Sequence, residues 1–161
     1  MFEWIKKMFC KKDTIEDQAM SIWKVHAQLR EGRRNFVYKD TRGYLTCGIG
    51  HLVLKEDNLK LGYIVSDAKI NEWFEKDSEK ALCLALKQAK EIGKYNDEFI
   101  AALISVNFQL GDWSKVFTSS YPLLVKGDWK KVVANLKRSA WNRQTPVRVS
   151  DFIKAIEKEY K

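Results

Sequence analysis

The sequence predicts an α+β fold: a small antiparallel sheet lobe followed by a larger helical lobe, the two joined by one long helix. Three observations carry that prediction. Most of the chain repeats its apolar residues at helical spacing. One stretch, NFVYKDTRGYLTCGIGHLVL at 35–54, is instead rich in aromatic and β-branched residues, with glycines at 43, 48 and 50. A later segment, FIAALISVNF, is apolar nearly all round, as befits the central helix of a helical core. The 161 residues suit one domain with a substantial core, and 45% hydrophobic against 31% charged excludes wholesale disorder.

Residues 1–12, MFEWIKKMFCKK, stand apart as a basic, amphipathic extension. They lack the continuous apolar core and cleavage site of a signal peptide. A helix packed on its own domain, or a loose tail, is favoured over a membrane-surface segment. The domain proper is expected over 13–161. Thr14 starts its first helix, with Asp17 three residues on in the pattern of a capping box. Ile15, Ala19, Ile22, Trp23, His26 and Leu29 share a helical face, His26 as a core or rim histidine rather than a ligand. The helix stops near Gly32. Strands are expected near 35–39 and 43–49, with a short third near 51–54, and Asp40-Thr41-Arg42-Gly43 suits a type I turn. After the polar loop KEDNLKLG, Ser66 caps a long helix carrying Ile70, Trp73, Phe74, Asp77, Ala81 and Leu84, which Gly93 ends. Asn96 caps the apolar helix and Gly111 ends it. Shorter helices follow at Pro122–Val125, closed by Gly127, and at Asp128 to about Arg138; Thr145-Pro146 starts the last, with proline at its favoured first position. The sheet lobe spans about 31–65, and the helical lobe about 80–161 together with the 14–30 helix.

Lys and Arg number 29 against 21 Asp and Glu, a net charge of +8 that draws the protein to polyanions: nucleic acid, anionic lipid or a bacterial cell wall. There is no RNA-binding aromatic signature and no zinc-finger spacing, so nucleic acid is not the expected partner. No apolar run approaches the roughly 18 residues of a membrane span, so stable insertion is not expected, only surface contact through residues 1–12. Cys10, Cys47 and Cys83 are odd in number and widely spaced, giving neither a disulfide framework nor a metal site. Neither metal nor cofactor is expected, and folding in a reducing cytoplasm is. The six tryptophans read first as core packing and second as sugar-stacking surface.

Glu31 ends a helix, Asp40 opens the hairpin turn nine residues later, and Thr46 lies on the return strand. Glycosidic cleavage needs one protonated carboxylic acid for the leaving oxygen and one ionised carboxylate for water or the cationic centre. Among 21 acidic residues such a pair is weak evidence alone; solvated surface carboxylates are the default reading. The residues around it are more specific. The stretch R-E-G-R-R-N-F-V-Y-K-D-T-R-G-Y-L-T-C-G-I-G-H-L resembles the signature of the phage lysozymes of glycoside hydrolase family 24. Q-L-G, G-D-W, A-N-L and W-N-R-Q-T-P extend the resemblance, to the T-even phage type, over roughly residues 22–150.

The resemblance implies a lysozyme-like fold with a cleft between the lobes, and it implies roles. Glu31 matches the general acid, Asp40 the second carboxylate and Thr46 the residue that positions water. The family inverts configuration, which needs about 6.5–9.5 Å between the carboxyl groups. Leu52, Phe108, Ser120 and Asn135 match glycan-contacting positions, with Gln109 beside them. Arg148 matches an arginine paired with the catalytic Glu. His51 and Asp77 match a stabilising ion pair between sheet and long helix. The implied partner is the glycan of peptidoglycan, attacked by a monomer made in the host cytoplasm and acting in the periplasm, by an open delivery route. Three departures stand out: Arg30 directly before Glu31, expected to face solvent; Cys47 in an apolar slot, expected buried and inert; and VSDFIKAIEKEYK in place of a basic stretch, so that the last helix could dock differently. A peptidoglycan binder without activity, and a membrane-disrupting protein, are the rival readings.

Overall fold

The structure is a computed structural model and describes residues 14–161; the expectations for residues 1–12, and Cys10 with them, lie outside the described residues. The architecture is α+β, with a three-stranded antiparallel sheet in the order β1-β2-β3. Helix α1 is Ile15–Arg30. Strands β1, Arg34–Lys39, β2, Leu45–Gly48, and β3, His51–Leu52, follow. The helices are then α2, Asp67–Ile92, α3, Asp97–Leu110, α4, Trp113–Val116, α5, Ser120–Val125, α6, Trp129–Arg138, α7, Ala140–Gln144, and α8, Pro146–Tyr160.

The caps fall where side-chain chemistry puts them. Thr14 and Asp17 form a reciprocal capping box, and Ser66 and Asn96 accept from the backbone N–H three residues on. Helix α3 runs through the middle of the helical lobe, packed against α1, α2 and α8. Phe99, Ile100, Leu103 and Ile104 on α3 are buried with Trp23, Trp113, Leu136, Phe152 and Ile156. The sheet lobe has its own smaller core of Val37, Cys47 and Val65, completed by Ile70 and Trp73 from the first turns of α2. That helix runs on to place Ala81, Ala85 and Ala89 in the helical core, so it joins the lobes as expected.

Several details differ from the sequence reading. Leu29 is 76% exposed and His26 is also exposed, whereas Ala27 is buried. The packed stripe of α1 is Ala19, Trp23 and Ala27, and Leu29 lies ~200° round the helix from Ala27. His26 instead lines a groove of about 400 Å³ between α1, α3 and α8. Strand β3 has only two residues, and the loop after it contains a 3₁₀ turn at Lys55–Asp57. Helices α4 and α7 were not anticipated, being shorter than the window in which a helical period is visible. Arg30 is exposed as expected, but its guanidinium is engaged there, pairing with Asp151 of α8 at 3.0 Å. Cys47 is buried, with its thiol 3.6 Å from the Arg34 carbonyl and pushed up in pKa chiefly by burial, as an inert cysteine should be. The atypical last helix docks firmly, burying Val149, Phe152, Ile153 and Ile156.

Candidate active site

Glu31 is the residue at which α1 stops. Its backbone is already extended, yet its N–H still donates to the Ala27 carbonyl at 2.8 Å, so the position is fastened to the helix while the chain turns away. The carboxylate is largely covered and ion-paired with Arg148 of α8, which is covered to a similar degree. Arg148 also reaches the Arg30 carbonyl at 3.4 Å. One planar guanidinium thus ties the last helix to the end of the first.

The sheet approaches this carboxylate through Gly50. A Cβ on Gly50 would stand 3.9 Å from Glu31 Oε2 and 3.8 Å from the Phe108 ring, at a φ of +73° that disfavours any other residue. Phe108 is held from behind by the rings of Trp23 and Phe74, at 4.9 and 5.8 Å. Sheet backbone, α1 and α3 therefore converge on Glu31. Gly48, two residues earlier, is required for a different reason: a Cβ there would lie 2.8 Å from Ile70 Cγ2 of α2.

Asp40 follows β1 and its carbonyl accepts from Gly43 N–H at 2.9 Å, closing the expected turn. Its Oδ1 accepts from the N–H groups of Arg42 and Tyr44, both at 2.9 Å. The Arg42 guanidinium lies 3.6 Å from Oδ2. Burial pushes the Asp40 pKa up, but the Tyr44 and Arg42 N–H groups and the Arg42 cation outweigh it, and the net shift is downward. The side chain is thus both fixed and kept ionised.

Thr46 sits at the centre of the sheet, 6% exposed, with Tyr38 of β1 and Leu52 of β3 as its register partners. Its hydroxyl donates to the Tyr44 carbonyl at 3.2 Å, which leaves the oxygen lone pairs to accept. Leu52 is 48% exposed, an apolar surface on the rim of the sheet.

On the helical side, Gln109 accepts from Trp141 Nε1 and donates to Thr145 Oγ1, each at 3.2 Å, so its amide is engaged within the lobe. Ser120 is covered and its hydroxyl accepts from Asn135 at 3.2 Å. Arg138 donates to the Asn135 carbonyl at 3.1 Å. His51 Nδ1 is 2.7 Å from Asp77 of α2, and its ring stacks on Trp73 at 4.2 Å. The expected pair of His51 and Asp77 therefore links sheet and long helix.

Two participants escaped the sequence reading. Asp57 approaches the far side of His51, 3.6 Å from Nε2. Asp151 engages Arg30, and no spacing or motif in the sequence marks that pairing. Among the described residues no group of His, Cys, Asp or Glu could hold a metal ion.

A family model described as phage lysozyme matches residues 28–155. Peptidoglycan hydrolase gp36 of Pseudomonas phage phiKMV is 30% identical over 135 residues, covering 83% of this chain but only 15% of that protein. Probable T4-type lysozyme 1 of Dictyostelium discoideum is 31% identical over 156 residues, covering 79% of this chain and 88% of the relative. The pre-baseplate central spike protein Gp5 of Enterobacteria phage T4 is 29% identical over 143 residues, 25% of its length. The chain thus spans nearly all of the slime-mould relative and only a small part of the two phage proteins.

Proposed function

Because the chain belongs to the phage lysozyme family, we propose that it hydrolyses the β-1,4 bond between N-acetylmuramic acid and N-acetylglucosamine in peptidoglycan, with inversion. The observation that carries the roles is the contrast between the two carboxylates. Asp40 is held by two N–H groups and kept ionised, as a base must be. Glu31, paired with Arg148, stands at the meeting of sheet, α1 and α3; as the acid it takes up a proton from solvent before each turnover.

In this reading Glu31 gives its proton to the leaving glycosidic oxygen as that bond breaks. Water attacks the anomeric carbon and passes one proton to Asp40. Thr46, already donating to Tyr44, accepts a hydrogen bond from the other O–H of the water, which keeps its proton, and so aims the oxygen. Arg148 orients Glu31. Leu52, Phe108 and Asn135 form the glycan surface, Ser120 acting through Asn135, while Gln109 braces Trp141 and Thr145 beside it. The protein acts as a monomer on periplasmic peptidoglycan after synthesis in the host cytoplasm. Among the described residues no helix is long and apolar enough to cross a membrane.

Glu31→Gln keeps shape and loses the proton. Reducing-end release from purified peptidoglycan should fall at least ~100-fold, while pelleting with the polymer persists. Full hydrolysis by the variant would remove Glu31 from the mechanism. Pelleting by wild type and variant with hydrolysis by neither would mean a binding module. Membrane lysis that survives the substitution would favour the membrane-disrupting reading.

A further inference from the structure

Three residues stand in one row across the sheet. Tyr38 of β1 pairs with Thr46 of β2, and Thr46 pairs with Leu52 of β3. Directly paired residues of antiparallel strands point to the same face, their Cβ atoms about 4.5–5.5 Å apart. Tyr38 therefore shares the face of Thr46 and lies two residues before Asp40. Its ring is half-buried and fixed beneath the Arg34 guanidinium, 4.3 Å from the ring centroid, with Phe36 edge-on at 6.3 Å. No described residue hydrogen-bonds its hydroxyl, whereas the similarly half-buried Tyr160 donates to the Leu124 carbonyl. A ring so well held, ending in an unengaged hydroxyl, is built to present that hydroxyl.

We propose that the Tyr38 hydroxyl is a third holder of the attacking water, donating to one of its lone pairs. The inference rests on the hydrolytic reading above. Water has four directions to fix. Asp40 and Thr46 accept hydrogen bonds from its two O–H groups, Tyr38 donates to one lone pair, and the remaining lone pair faces the anomeric carbon. As the new carbon–oxygen bond forms, one water proton passes to Asp40, the bond to the leaving oxygen breaks, and that oxygen takes the proton of Glu31. The Tyr38 proton stays on Tyr38.

The electrostatics agree with this placement. Burial raises the Tyr38 pKa, Arg34 opposes it, and the charges of Asp40 and Glu31 are both close enough to add to the rise. The phenol stays a neutral donor wherever the enzyme works.

Tyr38→Phe keeps the ring, its packing and the Arg34 contact, and removes only the oxygen. On soluble, uncross-linked peptidoglycan strands, kcat should fall about 5- to 50-fold with KM and melting midpoint nearly unchanged. A double-mutant cycle with Thr46→Val supplies a readout that mere packing would not move. If both hydroxyls hold one water, the double variant should lose clearly less than the product of the single losses. An unchanged kcat, a loss confined to KM, or losses that simply multiply would each overturn the proposal. Wild type is assayed alongside: if it fails to release reducing ends, the hydrolytic reading has failed; if it hydrolyses and Tyr38→Phe equals it, only the water-holding role has failed.

Discussion

The helical lobe closes over Trp23, Phe99, Trp113, Phe152 and the aliphatic side chains between them. The sheet lobe closes over Val37, Cys47 and Val65, and must take Ile70 and Trp73 from α2 to complete its core. Yet Asp40 and Thr46, on which the proposed chemistry depends, belong to the lobe with the smaller core. The difference separates mass from positioning. Bulk apolar burial sustains the fold, roughly 1.5–3 kcal/mol per large side chain. Positioning at the site comes from short directed contacts: two N–H bonds to Asp40, one guanidinium on Glu31, and one imidazole on Asp77.

The largest expected effect tests the helical side. Phe152→Ala should destabilise the protein by about 3–5 kcal/mol, because the ring is buried against Trp113 and Trp141 and leaves a cavity. Thermal unfolding followed by near- and far-ultraviolet dichroism should still give one coincident transition, since α2 belongs to both cores. Separate transitions would show that the sheet lobe stands alone, and would break the comparison.

A smaller change addresses the tie between lobes. Asp77→Asn should cost about 1–3 kcal/mol, more than an exposed pair, because His51 and Asp77 are largely covered. Activity at low temperature should be retained, as neither residue touches the proposed reacting atoms. An unchanged melting midpoint would mean that the pair does not fasten the sheet to α2.

The smallest effect is on pH dependence. The folded Asp40 pKa lies below its ordinary value, so the folded state holds this carboxylate ionised where the unfolded chain has begun to protonate it. That stabilisation is present above the unfolded pKa and is lost as pH falls through the folded one. Denaturant titrations in this acid window should show a shallower pH slope for Asp40→Asn than for wild type. For wild type, the acid limb of hydrolysis should likewise lie below the ordinary aspartate range if Asp40 is the base. An identical slope in both proteins would leave the two N–H bonds without energetic consequence.

How much was legible in the sequence follows the same division. The proposed site between Glu31 and His51 is local in the chain, so the resemblance of that stretch to the family signature was legible in the sequence. Caps at Thr14, Ser66 and Asn96 were readable too, because they depend on neighbours three residues away. Leu29 was placed on the buried face because hydropathy favours it, whereas the stripe that begins at Ala19 and Trp23 continues through Ala27, a small residue with little hydropathic weight. The partner of Arg30 is 121 positions distant, and no period or motif announces it. Tyr38 lay inside the quoted motif unnoticed; only its register opposite Thr46 distinguished it from any other strand aromatic.

Ala81, Ala85 and Ala89 of α2 are buried at four-residue intervals, and α2 packs closely along α3. The same unbroken helix carries Trp73, on which His51 rests. From Ala85 to Trp73 is about 18 Å along the axis at 1.5 Å per residue. Over that arm a tilt of ~3° moves the far end by ~1 Å, a misplacement that can cost on the order of 100-fold in rate. A side chain larger than Ala85 is therefore expected to act twice: it overpacks the seam, at about 1–3 kcal/mol, and it tilts the arm on which the sheet rests.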